Sequence, residues 1–231
     1  MKKFVLLIMV ALITLGASYE AKAQNLCDLC VSPDQCATFT TTMGSCGSPI
    51  KVTICYHCDV SGNNTNLHAE ILDISNICTS ASYSRNRQLI DEAWDAAYDW
   101  IRMNAASLCG RKNCKDNQYS EIFITKFACG ELIFDGYKFE IKSNLTQVPS
   151  CDYRCTNTYR VCWCICSDGG SCTQPPPCTD HFEWWYVTGS QYYSGDGSCE
   201  EIEFGQGTLY PTEPGGDWWS IPCLSFDCPE R

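Results

Sequence analysis

Cysteine is the residue type in this chain that could do the most chemistry, and three cysteines alternate along the stretch Thr158 to Cys166, T-Y-R-V-C-W-C-I-C. In an extended chain successive side chains point to opposite faces, so Cys162, Cys164 and Cys166 share one face. Neighbours on one face lie about 7 Å apart, whereas the Cβ atoms of a disulfide lie about 4 Å apart. The three cysteines therefore need three separate partners, and we expect this strand to be the centre of the fold.

Closely spaced cysteines also hold zinc or iron–sulfur clusters, and Cys27/Cys30 and Cys55/Cys58 have the Cys-x-x-Cys spacing of such sites. The cellular compartment decides between metal binding and disulfide formation, because an oxidising environment removes free thiolates. The export signal described next and the even count of 20 cysteines favour complete pairing in disulfides. The predicted structural disulfide cysteines are Cys27, Cys30, Cys36, Cys46, Cys55, Cys58, Cys78, Cys109, Cys114, Cys129, Cys151, Cys155, Cys162, Cys164, Cys166, Cys172, Cys178, Cys199, Cys223 and Cys228.

The N-terminus has the pattern of a secretory signal peptide. Two lysines precede an apolar run from Phe4 to Leu15, and Ala21-Lys22-Ala23 resembles a cleavage site. We expect residues 1–23 to be removed near Ala23-Gln24 and the chain to be secreted or extracellular, with the periplasm as the alternative. No later run approaches the roughly 18 apolar residues of a transmembrane helix, so no transmembrane segment is expected.

The charge balance narrows the choice of partner. The chain has 27 acidic and 16 basic side chains, a net charge of −11. A field of this sign repels phosphate backbones, so nucleic acid is not an expected partner. We expect a protein or glycan surface instead, with self-association as a further option.

One segment has helical periodicity. Apolar residues at Leu89, Ile90, Ala93, Trp94, Ala97, Ile101, Ala105 and Leu108 form one stripe. They predict an amphipathic helix at about 84–108, with Ser84 or Asn86 as its N-cap and Gly110 closing it. Asp91, Asp95 and Asp99 lie on its outer face, which we expect to stay solvated.

The remaining segments alternate apolar and polar residues, which is typical of strands. Strands are predicted at 50–56, 67–77, 121–127, 132–134, 137–141 and 181–187. Asp135-Gly136 between two such runs predicts a tight hairpin. We therefore expect an α+β fold, a disulfide-rich antiparallel β assembly with the one amphipathic helix packed on it.

We divide the chain after the signal peptide into three parts, although 24–231 is also consistent with one compact domain. The parts are a Cys-rich N-terminal β module (24–84), the amphipathic helix with a Cys-linked loop (85–118), and a Cys-rich C-terminal β module with a Gly/Pro/aromatic tail (119–231). A shift of 109 residues superposes Cys46, Lys51, Val52, Cys55 and Asp59 on Cys155, Arg160, Val161, Cys164 and Asp168. Four further residues bring His68-Ala69-Glu70-Ile71 onto His181-Phe182-Glu183-Trp184. This pattern predicts two related β hairpin modules.

The two His-x-Glu pairs are the candidate metal ligands. His68 with Glu70, and His181 with Glu183, each share a strand face and could hold a divalent cation between the two hairpins. Two ligands do not complete a coordination sphere, so a polar outer face is the favoured interpretation and no cofactor is expected. His57, between Cys55 and Cys58, is interpreted as a half-buried packing residue rather than a catalyst.

Aromatic residues are concentrated near the C-terminus. Trp184, Trp185, Tyr186, Trp218 and Trp219 are candidate ligand-binding aromatics, although burial beneath a disulfide-fixed tail is the favoured interpretation. No nucleophile or metalloprotease motif occurs, and a carboxylate pair for glycoside hydrolysis would leave no motif. We therefore expect a noncatalytic exported protein with a structural or adhesive role; the alternatives are a carbohydrate-binding module and a secreted hydrolase without a recognisable motif.

Overall fold

The computed structural model describes residues 26–31, 33–61, 64–80, 82–110, 119–143, 154–164, 181–186 and 219–226, the last two ranges mainly by their backbone. Within these ranges, a short 3₁₀ helix, Leu26–Leu29, precedes nine strands and one α-helix. The elements are β1 Gln35–Thr41, β2 Ile50–Ser61, β3 Asn64–Cys78, α1 Tyr83–Cys109, β4 Ser120–Phe127, β5 Cys129–Phe134, β6 Lys138–Ser143, β7 Arg154–Cys164, β8 His181–Tyr186 and β9 Trp219–Ser225. The fold is a disulfide-rich α+β sheet, as predicted.

The nine strands form one sheet in the order β8-β7-β4-β3-β6-β5-β9, with β2 also paired to β3 and β1 to β2. One edge of β3 pairs with β2; the other is shared by β4, along Leu67–Glu70, and by β6, along Asp73–Cys78. Among the described strands only β3 and β4 are parallel, because α1 carries the chain back across the sheet between them. The prediction of an antiparallel assembly is correct for the other pairs.

Strand β3, rather than the cysteine-dense β7, is the centre of the sheet. The prediction for β7 is wrong because β7 lies next to the terminal strand β8, with β4 on its other side. Burial, not cross-linking capacity, sets the centre: Ile71, Ile74 and Ile77 of β3 are completely buried. The extended conformation expected for the cysteine stretch is confirmed as far as Cys164, and Cys166 lies outside the described residues.

Helix α1 packs its apolar stripe on the sheet. Ile90, Ala93, Trp94, Ala97 and Ile101 are buried against it, together with other residues of the same core. The helix extends one residue beyond the predicted range at each end. Because 3.6 residues make one turn, this spacing keeps the stripe on one side for the whole length.

The N-terminal end of α1 differs from the prediction, and the C-terminal end agrees with it. Neither predicted N-cap is correct, because the capping position is Ser82, which is extended (φ −103°, ψ 128°) and has no side-chain cap. Asn86 is buried, and its amide bonds the backbone of Ser80 as donor and acceptor (2.9 and 2.6 Å). At the other end Gly110 has φ 87°, and its N–H donates to Ala106, as the C-terminal glycine predicts.

Among the described residues, disulfides join Cys27–Cys36, Cys30–Cys55, Cys46–Cys78 and Cys58–Cys109. Cys155, Cys162 and Cys164 are disulfide-bonded as well. Members of each Cys-x-x-Cys motif thus bond to other segments, which excludes the thiolate clusters considered for them. Cys129 is buried at the start of β5; the pairing of all 20 cysteines stays a prediction.

The predicted Asp135-Gly136 hairpin is confirmed between β5 and β6. Gly136 has φ 99°, and Asp135 Oδ1 accepts hydrogen bonds from the N–H groups of Tyr137 and Lys138 at 2.8 and 2.7 Å. Glycine tolerates this left-handed conformation, and the aspartate closes the turn.

The two segments compared by the proposed duplication both form antiparallel strand pairs, β2 with β3 and β7 with β8. Their registers differ by two residues. Cys55 lies opposite Glu70, whereas its counterpart Cys164 lies opposite His181, the counterpart of His68. The duplication stays a prediction.

Candidate functional site

A groove of about 590 Å³ lies between the β1–β2 loop and the outer side of α1. We call it the acidic groove. Its lining is Thr41, Thr42, Met43, Gly44, Ser45, Glu92, Asp95, Ala96, Asp99, Trp100, Met103 and Asn104. The size is that of a small ligand site, but the groove is open along its length.

Both walls of the acidic groove are covalently attached to the β2–β3 hairpin. The loop wall is held by Cys46–Cys78, and the helix wall by Cys58–Cys109. The loop is further fixed by Met43, which is buried and whose carbonyl accepts a hydrogen bond from the Cys46 N–H at 3.2 Å. The groove is therefore preformed.

The helix wall carries two neighbouring stripes. Glu92, Asp95 and Asp99 recur at spacings of three and four residues and make the acidic stripe. Ala96, Trp100 and Met103 make the apolar stripe.

The two large side chains of the apolar stripe differ in exposure. The Trp100 ring is stacked on Phe39 of β1, with centroids 3.5 Å apart and planes within 6°. Met103 is 64% exposed. The groove thus combines a rigid aromatic wall with an accessible thioether and carboxylates.

Glu92 and Asp99 each have an arginine partner. Glu92 Oε1 lies 3.0 Å from Arg85 Nη1, and Asp99 pairs with Arg102. Arg102 is 8% exposed and lies 4.6 Å above the Tyr159 ring, so its head belongs to the buried side, whereas the Asp99 side chain is 60% exposed. The carboxylate of this ion pair therefore faces solvent, whereas the guanidinium is buried.

A second group of polar and aromatic side chains lies on the other side of the sheet, away from α1. The rings of His57, His68 and Phe123 are stacked in a row, with centroid distances of 4.6 and 4.5 Å. Asp34 Oδ1 lies 2.7 Å from His57 Nδ1. We call these residues the histidine stack.

Burial lowers the pKa of His68, because it penalises the charged imidazolium, and the neighbouring His57 lowers it further. Asp59 and Asp34 act in the opposite direction on the same pKa. His57, expected to be a half-buried packing residue, is therefore part of an aromatic and ionic cluster.

A carboxyl pair lies on the same side of the sheet, where β3 meets β6. Asp73 is 2% exposed and shares a hydrogen bond with Glu140, and Glu140 Oε1 lies 2.7 Å from Lys142 Nζ. Burial, then Glu140, raise the pKa of Asp73 to about 8, against the opposing effects of Lys142 and Lys51. Two carboxyl groups share a hydrogen bond only when one holds a proton.

The predicted metal candidates lie on two strands, β3 and β8. His68 belongs to the histidine stack, and Glu70 Oε1 lies 2.9 Å from Arg154 Nη1. His181 and Glu183 lie on β8, three strand steps from β3, or about 14 Å at the usual strand spacing. In the described part of the chain, no group of three His, Cys, Asp or Glu side chains is placed to hold a metal ion.

The candidate aromatics are divided between the two ends of the strand order. Trp184, Trp185 and Tyr186 lie on β8, and Trp219 lies on β9. Trp218 is outside the described residues. The strand order therefore does not make Trp219 a neighbour of Trp184 and Trp185.

Sequence reasoning identified Asp95 and Asp99 but not the groove that they line. The loop wall cannot be read from sequence, because the Cys46–Cys78 pairing places it. The spacing of Ala96, Trp100 and Met103 beside the acidic stripe was the available signal. The carboxyl pair gave no signal, because 67 positions separate its members.

Within the described ranges, no helix is both long and apolar enough to cross a membrane. No protein-family model, curated protein or solved structure matches the chain.

Proposed function

We propose that the chain is a noncatalytic exported protein with a structural or adhesive role, and that it contacts other molecules through the acidic groove. The observation that carries this proposal is the attachment of both groove walls to one hairpin by Cys46–Cys78 and Cys58–Cys109. Disulfides of this density fit an extracellular protein.

A preformed groove favours binding for an energetic reason. A partner that enters a fixed surface does not have to order a loop, so less conformational entropy is lost on association. The stacked Phe39–Trp100 pair and the exposed Met103 supply the aromatic and thioether surface that is enriched where proteins meet.

Two glycines allow a matched test of the groove. Gly44 lines it and Gly47 does not; a Cβ at either would meet no atom within 4 Å, and neither has a positive φ. Gly44→Trp introduces a large ring at the groove, and Gly47→Trp adds the same ring nearby.

The experiment uses the oxidised chain 24–231. Sedimentation velocity measures self-association, and surface plasmon resonance measures binding to a panel of extracellular proteins. We expect association in at least one assay, weakened about tenfold or more by Gly44→Trp and unchanged by Gly47→Trp. A strict monomer that binds no member of the panel overturns the proposal.

A carbohydrate-binding module is the second candidate, favoured by the register of β8. Trp185 lies opposite Arg160, whose guanidinium lies 4.2 Å from the Tyr119 ring centroid and 3.1 Å from Glu121. Aromatic surface beside charged hydrogen-bonding groups is suited to sugars. Tryptophan fluorescence quenching across a soluble glycan panel, lost in Trp185→Ala or Trp219→Ala, would support this candidate, and no response would exclude it.

A further inference from the structure

We infer that the occupant of the acidic groove is an extended protein segment in which basic and apolar residues alternate. This inference rests on the proposed function, because it names the partner of the same groove. It follows from the sign of the charges, their spacing and the neighbouring apolar stripe.

The charges favour a cationic partner. Three carboxylates line the groove, no basic residue is part of its lining, and the chain as a whole carries a net charge of −11. A negative potential of this kind raises the local concentration of cationic groups and speeds their association.

The ion pairs of Glu92 and Asp99 do not block such a partner. Glu92–Arg85 and Asp99–Arg102 lie partly in solvent, with the Asp99 side chain 60% exposed. Exposed ion pairs contribute little to stability, so these carboxylates can accept a second cation at small cost.

The spacing favours an extended segment over a small ion. Asp95 and Asp99 lie one helical turn apart, about 6 Å along the axis. Alternate residues of an extended chain are about 6.6–7 Å apart, so two basic side chains at positions i and i+2 match them. The intervening residues then meet the adjacent stripe of Ala96, Trp100 and Met103.

The test uses synthetic peptides as probes. A peptide with alternating lysine and leucine is compared with one that alternates glutamate and leucine, and with one that alternates lysine and serine. Binding to the oxidised chain is measured by isothermal titration calorimetry at about 50 and 300 mM salt. We expect the lysine–leucine peptide to bind most tightly, with affinity falling as salt rises.

Matched variants locate the binding. Asp95→Asn with Asp99→Asn should weaken the lysine–leucine peptide about tenfold, whereas Asp28→Asn with Glu131→Gln, which remove the same charge outside the groove, should leave it unchanged. Equal affinity for the lysine–leucine and glutamate–leucine peptides, or equal loss in both variant pairs, overturns the inference. Circular dichroism and the native disulfide pattern confirm that each variant folds.

The two proposals fail separately. If Gly44→Trp abolishes binding of a panel protein while the charge variants bind it normally, the groove is an interface but its occupant is not basic. If the lysine–leucine peptide binds Gly44→Trp as tightly as the native chain, binding lies outside the groove and the inference is wrong.

Discussion

The histidine stack and the carboxyl pair lie on the same side of the sheet, and both involve β3, yet they make stability depend on pH in opposite directions. His68 has a lowered pKa and Asp73 a raised one, and burial is the largest cause of both. Burial disfavours the charged form, which is the protonated form of a histidine and the deprotonated form of an aspartic acid. Burial thus lowers the pKa of His68 and raises that of Asp73, so stability changes with pH in opposite directions at the two sites.

The groups around each site modify this effect without reversing it. His68 faces His57, Asp34, Asp59 and the uncharged ring of Phe123. The two acids raise its pKa, but less than burial and His57 lower it.

Asp73 has its own set of charged neighbours. It faces Glu140, Lys142 and Lys51, and the lysines lower its pKa less than burial and Glu140 raise it. The comparison teaches that position in the sheet, rather than the nearest charge, decides the direction in both clusters.

The largest effect is expected from Asp73→Asn. The native state retains a proton on Asp73 up to pH about 8, while the unfolded chain releases it near 3.8. The native state therefore binds more protons between these values, and its stability falls as pH rises through this window, by up to about 6 kcal/mol. Asn cannot ionise, so the variant should lose this slope and be several kcal/mol more stable than the native chain near pH 8.

Urea unfolding of the oxidised chain between pH 5 and 8.5 measures this slope. Glu131→Gln, on β5 and outside the pair, is the matched control and should keep the native slope. An Asp73→Asn variant with the native slope would show that the carboxyl pair does not hold a proton.

The sequence predicts the helix and the turn near these clusters better than it predicts which side chains meet in the clusters. The α1 stripe and the Asp135-Gly136 turn were predictable because local spacing and a positive φ determine them. The side of the sheet on which each β3 side chain lies was not predictable. Thr53 pairs with Asp73 but Ile54 pairs with Ile71, so Leu72 is an extra residue in the ladder.

That bulge interchanges the sides expected for Asp73 and Ile74. Strict alternation from His68 puts Ile74 beside it and Asp73 on the opposite side, whereas Ile74 packs in the core beneath α1 and Asp73 meets Glu140 of β6. A bulge depends on tertiary pairing, so no local pattern indicates it. For the same reason the groove could not be predicted, since a disulfide between distant residues builds one wall.

His68→Phe should have a smaller effect, with the opposite sign. Because the pKa of His68 is lowered, the unfolded chain binds more protons just below pH 6.5, and the native chain loses stability as pH falls there. Phenylalanine can stack between His57 and Phe123 but does not titrate. The variant should match the native chain at pH 7.5 and be more stable at pH 5.

The double variant of Asp73→Asn and His68→Phe sharpens the contrast. Five residues of strand, about 16 Å, separate the two positions, so the changes in unfolding free energy should add. Strong non-additivity would mean that the two clusters form one coupled network. A His68→Phe variant that is less stable than the native chain at pH 5 would contradict the assigned direction.

Asp34→Asn should produce the smallest change, and it should steepen the acid limb that His68→Phe flattens. Asp34 Oδ1 lies 2.7 Å from His57 Nδ1, and the pair is partly exposed, so its loss should cost about 0.5 kcal/mol. Removing Asp34 also removes a charge that raises the pKa of His68, so His68 ionises even less readily in the native state. The lower pKa of His68 reduces stability towards low pH, and added salt should weaken the influence of Asp34. Urea midpoints at pH 5 and 7.5, in about 50 and 500 mM salt, measure the difference; an acid limb unchanged by Asp34→Asn would mean that Asp34 does not influence the pKa of His68.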